Sequence, residues 1–279
     1  MKNCFLIVNC NDFKSTKHLV DNVENYSCID SILIVDNGSS DNERKLLSSI
    51  KYDKVEIIYN DENFGYSYGI NMGSKYLIEK YGKCNLIISN SDIVILSKED
   101  IVVLLKELNK SEVGIVGPQI MELGGISRGI KCVSPLIDLF NTTPIINNLV
   151  PDNVVYYKDN HYNCDYSDVD IISSSFFLIS SETMKRINFM DELVFLYYED
   201  YILSKKIKNL NLSVRVVNSV KVKHLYSVTV DKIIKNVDKF KLFKNSQYYY
   251  HTTYNDANRF ERYILKLSRV IGIFIRNKK

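Results

Sequence analysis

The chain has 279 residues and a formal net charge of +3; 46% of its residues are hydrophobic and 25% are charged. These values are typical of a globular protein with a substantial core, and the small net charge predicts no nucleic-acid partner. The six cysteines form no Cys-x-x-Cys pair, which favours free thiols in a reducing compartment. The N-terminal apolar stretch is too short for a signal peptide and no apolar run reaches membrane-spanning length, so we expect a cytoplasmic protein.

Apolar segments alternate with helix-like segments in the first half of the chain. Strands are predicted at CFLIVN, SILIVDN, KVEIIYN and NLIISN, with a fifth short strand at VGIVGP. Helices are predicted from about residue 15, from a capping box at Ser40 and Glu43, over residues 66–81, and from a capping box at Ser97 and Asp100. This alternation indicates an α/β fold with a mostly parallel sheet and helices on both faces.

Asparagine and aspartate residues follow each of the first four predicted strands. They are Asn9 and Asn11, Asp36 and Asn37, Asn60 to Asn63, and Asn90 with Asp92. The carboxyl ends of parallel strands share one edge of the sheet, which is where such proteins bind ligands. Asn and Asp are also common as helix caps and turn residues, but four clusters at one edge predict a ligand rich in hydroxyls and phosphates.

The second half of the chain is less regular. Residues 120–165 show no clear period and predict long loops or a lid, whereas DVDIISSSFFLIS predicts two strands. Glu199 and Asp200 stand at the head of a predicted helix, and short strands at 214–217 and 220–222 lead to His224.

Past about residue 228 the chain is predicted to be helical and basic. An apolar stripe recurs there at helical spacing: Phe260, Tyr263, Ile264, Leu267, Val270, Ile271 and Phe274. The stripe fits a helix packed on its own domain or on a second subunit of a homodimer. It equally fits an interfacial helix on an anionic bilayer, and we expect it to hold the protein at the inner membrane face.

Several common motifs are absent from the sequence. A nicotinamide or flavin Rossmann enzyme and a P-loop kinase are disfavoured because neither glycine-rich motif occurs, and no nucleophile elbow is present. Instead, segments in the order LIVNCND, ILIVDNGSSD, NDENFGYSYGINMG, IISNSD and FMDELVFLYYEDYIL, followed by VKVKHLYS, resemble family 2 glycosyltransferases with the GT-A fold. The segment ENFGYSYGINMG is most similar to the rhamnosyltransferase-like branch, which elongates bacterial surface polysaccharides.

The resemblance covers about residues 3–226 and implies a domain organisation. A GT-A domain would occupy residues 1–226, with a donor half of about 1–118 and an acceptor half of about 119–226. A helical extension would follow over residues 227–279.

The resemblance also implies a role for each matching residue. Donor-nucleotide contacts would come from Asn9, Asp36, Asn63, Gly65, Asn90 and Asp92, with Asp41 as a further candidate. Asp92, in the last place of the family's Asp-x-Asp motif, and His224 would hold Mn²⁺ or Mg²⁺. Asp200 would be the catalytic base. Acceptor contacts would come from Asp191, Glu192, Tyr197 and Glu199.

The chemistry of the reaction suits these residue types. A cation beside the diphosphate neutralises charge on the leaving group, and a carboxylate can take the proton of the attacking hydroxyl. Each residue also has a structural alternative: Asp92 as a turn cap, Asp200 as a charge at a helix N-terminus, and His224 as a structural histidine.

Three positions depart from the family's pattern. Asn90 replaces the usual first Asp of the metal motif, Cys10 replaces an aromatic residue, and Ile202 replaces an acidic residue after the Glu-Asp pair. Asn90 removes one formal charge from the metal site that the resemblance implies, and Cys10 removes the ring that would stack on the base.

The function implied is an inverting glycosyltransferase for capsule or cell-surface polysaccharide. It would move a sugar from dTDP-rhamnose or a UDP-hexose to a hydroxyl of a glycan or lipid-linked acceptor. Two alternatives stay open. One is a sugar nucleotidyltransferase, which NCNDFKSTK disfavours because it has no glycine; the other is a non-catalytic nucleotide-binding scaffold, which Asn90 favours.

Overall fold

The computed structural model of the protein describes residues 1–144, 146–225 and 236–276, and it shows helices on both sides of a ten-stranded sheet. The strands are β1 Lys2–Asn9, β2 Ser31–Asn37, β3 Val55–Asn60, β4 Cys84–Asn90, β5 Ile93–Ile95, β6 Val113–Glu122, β7 Gly125–Ser127, β8 Tyr166–Asp168, β9 Phe176–Ser180 and β10 Ser213–His224. The helices are α1 Phe13–Val23, α2 Asp41–Leu47, α3 Tyr66–Tyr81, α4 Lys98–Leu108, α5 Pro135–Asn141, α6 Asp152–Val155, α7 Ser181–Arg186, α8 Glu199–Lys208, α9 Asn236–Thr253 and α10 Arg259–Arg276.

The sheet is mostly parallel, as the sequence predicts. Its strand order is β3-β2-β1-β4-β9-β6-β10-β5, with β7 beside β6 and β8 beside β10. Strands β1 to β4, β6 and β10 run in one direction, whereas β9 is antiparallel between β4 and β6. The chain order reverses between β1 and β4, which is the kind of switch point where α/β sheets bind ligands.

Two buried layers, one on each face of the sheet, account for the apolar strands. On β1, Phe5 and Ile7 belong to one layer and Leu6 belongs to the other, as the alternation of side chains across a strand requires. Helix α3 lies very close to the second face: a Cβ on Gly73 would be 2.3 Å from Cδ1 of Leu6. The glycine therefore allows α3 to pack closely on the sheet beside β1.

The two predicted capping boxes have different outcomes. The box at the start of α4 is confirmed, since Ser97 and Asp100 make both reciprocal bonds. The box at α2 is wrong, because Ser40 makes no side-chain cap bond there. Instead, the Glu43 carboxylate accepts a hydrogen bond from the backbone amide of Phe13 at 2.9 Å. The Glu43 side chain thus bonds to the start of α1 instead of capping its own helix.

The second half of the chain is more ordered than its sequence indicates. Helices α5 and α6 lie within the stretch expected to be loops or a lid. Of the two strands predicted in residues 168–180, β9 is confirmed and the other is reduced to a bridge between Ile130 and Ile171. The two short strands before His224 form one strand, β10, with a register shift between Val217 and Lys221.

Helices α9 and α10 confirm the helical character predicted for the C-terminal region. The predicted boundary at 226/227 lies outside the described residues, as does the side chain of Phe274. Within residues 1–144, 146–225 and 236–276, no helix has both the length and the apolar character needed to cross a bilayer.

Candidate active site

The predicted nucleoside contacts Asn9 and Asp36 lie side by side, because β1 and β2 pair in parallel with these residues in register. Both are fully buried, and Asn9 Nδ2 donates to Asp36 Oδ1 at 3.0 Å. Thr16 donates to Asn9 Oδ1 at 2.8 Å, and Arg44 Nε contacts Asp36 Oδ2 at 3.1 Å. These two side chains therefore support the edge from within, whereas Asp41 lies exposed at the start of α2.

The loop before α3 lies against the same cluster. Asn63 Nδ2 donates to Cys10 Sγ at 3.4 Å, and Asn63 Oδ1 accepts from Asn37 Nδ2 at 3.0 Å and from the amide of Gly65 at 2.9 Å. Burial raises the pKa of the Cys10 thiol to about 11. The structure thus brings Asn9, Asp36, Asn63 and Gly65 together, and a neutral thiol occupies the position where the family has an aromatic ring.

Asp92 and His224 also lie together, although 131 residues separate them in the chain. His224 Nε2 is 3.2 Å from Asp92 Oδ1, and His224 Nδ1 is 3.6 Å from Glu122 Oε1. Burial lowers the pKa of His224, but the hydrogen bonds and charges of the two carboxylates outweigh it and raise the pKa to about 9. Asn90 is half-buried nearby, and its backbone amide donates to Ser175 O at 2.8 Å.

These side chains fit a cation that is shared with a substrate. Over the described ranges, no group of three or more His, Cys, Asp or Glu side chains could hold a metal ion. Asp92 offers one oxygen, and His224, 3.2 Å away, would offer a nitrogen once a cation displaced its proton. Mg²⁺ or Mn²⁺ bound to nucleotides commonly uses one or two protein ligands plus phosphate oxygens. The donor set therefore suits a cation completed by a diphosphate.

The Glu199–Asp200 pair begins α8 and is partly buried. Burial raises the pKa of Asp200 to about 6, with an opposing effect from the Tyr201 amide, which donates to Asp200 Oδ1 at 2.9 Å. Burial and the negative charge of Asp200 raise the pKa of Glu199 to about 8. Two neighbouring carboxyls with separated pKa values are typical of acid–base sites.

A turn of three serines, Ser173 to Ser175, connects the Asp92–His224 end of the site to this carboxyl pair. Ser175 O accepts from the amide of Asn90, and Ser174 Oγ lies 3.5 Å from Glu199 Oε1. Ser174 O accepts from the Tyr66 hydroxyl at 2.9 Å. Burial raises the pKa of Tyr66 well above its usual range, and the charges of Glu199 and Asp92 raise it further.

The predicted acceptor residues lie on the loop that leads into α8. Asn71 of α3 is buried and donates to Glu192 Oε1 at 2.6 Å and to Met190 O at 3.0 Å. Asp191 Oδ2 accepts from the hydroxyls of Tyr249 and Tyr254 at 2.8 and 2.6 Å. The loop is therefore held on one side by α3 and on the other by the C-terminal region.

Tyr197, also predicted to contact the acceptor, is half-buried beside Phe243, with ring centroids 5.6 Å apart.

Several residues of this site escape sequence reasoning. They are Thr16, Arg44, Tyr66, Asn71, Glu122 and the serine turn. Asn71 and Tyr66 lie within the quoted glycine-rich segment, so a helical-face argument could have found them. Glu122 could have been found at a strand end, had β6 been predicted to continue past residue 118. Nothing local marks the serine turn, because its role depends on the antiparallel insertion of β9.

Comparisons with solved structures identify the fold. The structure of GalNAc-T7 with UDP, GalNAc and Mn²⁺ matches with a TM-score of 0.64 at 16% identity, over 92% of this chain and 49% of that one. The mannosyltransferase PcManGT from Pyrobaculum calidifontis, in complex with GDP-Man and Mn²⁺, matches with a TM-score of 0.59 at 12% identity, over 96% and 69%. At these identities the likeness establishes the fold, which is the predicted GT-A fold.

Sequence comparison identifies the family. The low-salt glycan biosynthesis hexosyltransferase Agl10 of Haloferax volcanii is 25% identical over 213 residues, which are 75% of this chain and 62% of the relative. The chain thus spans less than two thirds of that relative's length. The model of glycosyl transferase family 2 matches residues 4–185, more than half of the chain. The chain that builds this site therefore belongs to glycosyltransferase family 2.

Proposed function

We propose that this protein is an inverting glycosyltransferase that moves a sugar from a nucleotide diphosphate to an acceptor hydroxyl. One observation carries the proposal: the serine turn bonds both to Asn90, beside Asp92, and to Glu199, beside Asp200. Asp92 with His224 and the carboxyl pair with raised pKa values therefore lie around one turn, which supports a site for both a diphosphate and an acceptor hydroxyl. Family membership and the GT-A fold support the same function.

The chain's own groups divide the work of a single displacement. Asp200 accepts the proton of the acceptor hydroxyl as its oxygen attacks the anomeric carbon, and the nucleoside diphosphate leaves from the opposite face. Asp92 and His224 would hold a divalent cation, which when bound supplies positive charge against the leaving oxygen. Asn63 and Gly65 border the nucleoside, while the buried Asn9–Asp36 pair keeps that border in place.

On the acceptor side, we propose that Glu192, Glu199 and Tyr197 face the sugar that receives the transfer. Asp191 belongs to the same loop, and its bonds to Tyr249 and Tyr254 fix the loop's shape. The acceptor is a glycan or lipid-linked hydroxyl in surface polysaccharide synthesis, which is supported by the similarity to a glycan biosynthesis hexosyltransferase of Haloferax volcanii. For the donor we propose dTDP-rhamnose or a UDP-hexose, and the cation would be Mn²⁺ or Mg²⁺.

We also propose that α10 rests on an anionic membrane. Its apolar stripe points outward: Phe260 and Tyr263 are 64% and 63% exposed, and Val270 is 56% exposed. The opposite side packs inward through Leu265, which is 2% exposed. Arg259 and Lys266 are exposed on the same helix, so its surface combines apolar and basic groups as interfacial helices do.

Replacement of the base tests the proposed reaction. Asp200→Asn keeps the size of the side chain but cannot accept the proton, so transfer should fall by about 10²–10⁴-fold while donor binding persists. Sugar nucleotides would first be screened by thermal shift with and without Mn²⁺, because a ligand that binds the folded state raises its melting temperature. Near-wild-type transfer by Asp200→Asn would remove Asp200 as the base.

The same experiments address the alternatives. A scaffold would bind the nucleotide but transfer nothing in the wild-type form, and a nucleotidyltransferase would release pyrophosphate from a nucleoside triphosphate. Asn90 was the feature that favoured a scaffold. The Asp92–His224 contact and the carboxyl pair are intact beside it, which favours catalysis.

A further inference from the structure

A buried carboxylate lies next to the segment that carries the Glu199–Asp200 pair. Asp138 of α5 is 2% exposed, and its Oδ2 accepts from the Tyr198 hydroxyl at 2.5 Å. Gln247 Nε2 donates to the same oxygen at 2.8 Å, and His251 Nε2 lies 2.8 Å from it. Asn255 Nδ2 lies 3.1 Å from His251 Nδ1 and donates to it, which leaves Nε2 to donate to Asp138.

This arrangement satisfies a group that would otherwise be costly to bury. An isolated carboxylate in an apolar interior destabilises the fold, whereas one that accepts several hydrogen bonds is tolerated. The donors Tyr198, Gln247 and His251 are each less than 5% exposed. The cluster joins α5, the entry to α8, and α9, three elements that are distant in the sequence.

The segment held by this cluster has an unfavourable backbone conformation. Tyr197 and Tyr198 have φ values of 70° and 65°, two consecutive left-handed residues that are not glycine. Such conformations cost about 1–2 kcal/mol per residue and persist only where surrounding contacts hold them. Tyr198 caps α8, and its carbonyl accepts the amide of Ile202 at 3.0 Å, so its position sets where the helix begins.

Helix α9 contacts the same segment at further points. Ser246 Oγ donates to Leu196 O at 2.8 Å, and the Phe243 ring lies 5.6 Å from that of Tyr197 and 5.5 Å from that of Tyr198. Helix α9 thus forms one wall of the turn that presents the carboxyl pair.

We propose that Asp138, Gln247 and His251 form a positioning clamp that holds Tyr198 in its left-handed conformation and so orients Glu199 and Asp200 for transfer. The inference rests on the proposed role of Asp200 as the base. The clamp residues touch no reacting atom and act through the backbone of the turn. Since the family match ends at residue 185, two of the three clamp residues lie beyond it.

Tyr198→Phe tests the clamp because it removes one hydroxyl and keeps the ring. Misplaced catalytic groups reduce turnover steeply, so kcat should fall by about 10²-fold while the donor KM stays unchanged. Tyr250→Phe is the matched control: this buried tyrosine packs on the same rings, but its hydroxyl faces Cys132 Sγ at 3.4 Å, and its kcat should stay at the wild-type level.

Substitution of the imidazole provides a second comparison. His251→Gln can place an amide donor near Nε2 and should keep most of the turnover, whereas His251→Ala should lose it as Tyr198→Phe does.

Hydrogen exchange tests the positioning clamp independently of catalytic turnover. Hydrogen exchange at the Ile202 amide should become faster in Tyr198→Phe and stay slow in Tyr250→Phe. Wild-type kcat in Tyr198→Phe, an equal loss in Tyr250→Phe, or unchanged exchange at Ile202 would each overturn the inference. If Asp200→Asn keeps its turnover, the base assignment fails, but the exchange result still decides on its own whether the clamp exists.

Discussion

Gly65 is the point where the loop before α3 meets the loop that leads into α8, and its replacement by alanine gives the sharpest structural prediction. Its φ and ψ are 99° and 166°, a region that glycine adopts almost exclusively and that costs another residue about 1–3 kcal/mol. A Cβ at Gly65 would also lie 2.7 Å from Phe195 O and 3.0 Å from Phe195 Cα. Backbone atoms cannot rotate away, so overpacking adds about 1–3 kcal/mol.

We therefore expect Gly65→Ala to lower the free energy of unfolding by about 2–6 kcal/mol. Gly82→Ala is the matched control, because Gly82 also has a positive φ of 69° but a Cβ there would meet nothing within 4 Å. Gly82→Ala should lower the free energy of unfolding only by the cost of the backbone conformation, about 1–3 kcal/mol. The difference between the two variants isolates the contact with Phe195.

The measurement is urea unfolding of both variants, with the m-values compared, followed by titration with the donor nucleotide. Because Phe195 precedes the turn at Tyr197 and Tyr198, we expect Gly65→Ala also to reduce turnover at saturating donor. If Gly65→Ala were no more destabilising than Gly82→Ala and equally active, the loops would not be coupled through this contact.

Three further predictions concern the carboxyl pair, the cation and the membrane. Turnover should fall about tenfold per pH unit below about pH 6, because burial raises the pKa of Asp200 to about 6 and the base works only when ionised. Glu199→Gln should leave this acid limb in place, since the pKa of Glu199 is raised to about 8 and the carboxyl is already neutral there; a displaced limb would contradict the assignment. Asp92→Asn should weaken Mn²⁺-dependent nucleotide binding about tenfold, and Asn90→Asp should strengthen it, as measured by calorimetry. If neither variant changed the binding, the result would argue against a metal at this edge. Leu267→Asp should weaken binding to anionic liposomes about tenfold in a sedimentation assay, whereas Val103→Asp, equally exposed on α4, should not; equal effects would remove α10 as the contact surface.

Much of the structure of residues 1–118 follows from local sequence. Short apolar runs indicate buried strands, and periodic segments with caps indicate helices. The order of β1 to β4 could therefore be predicted from the sequence. Once those strands are parallel, their carboxyl ends must share an edge, and Asn9, Asp36 and Asn90 must meet there. The sequence also carries the order of motifs that marks the family.

Only the tertiary structure decided the rest, because long-range contacts leave no periodic trace. The antiparallel β9 lies between β4 and β6 and brings the serine turn to Asn90. No local sequence pattern predicts that β9 is inserted at this place in the sheet. Asp138 lies in a stretch without a readable period, and His251 lies in a region that the sequence predicts only as a helical extension. Their side chains are nevertheless in contact, although the two residues are 113 positions apart in the chain. Their pairing depends on three-dimensional packing, since a charge is buried only where folding brings its donors to it.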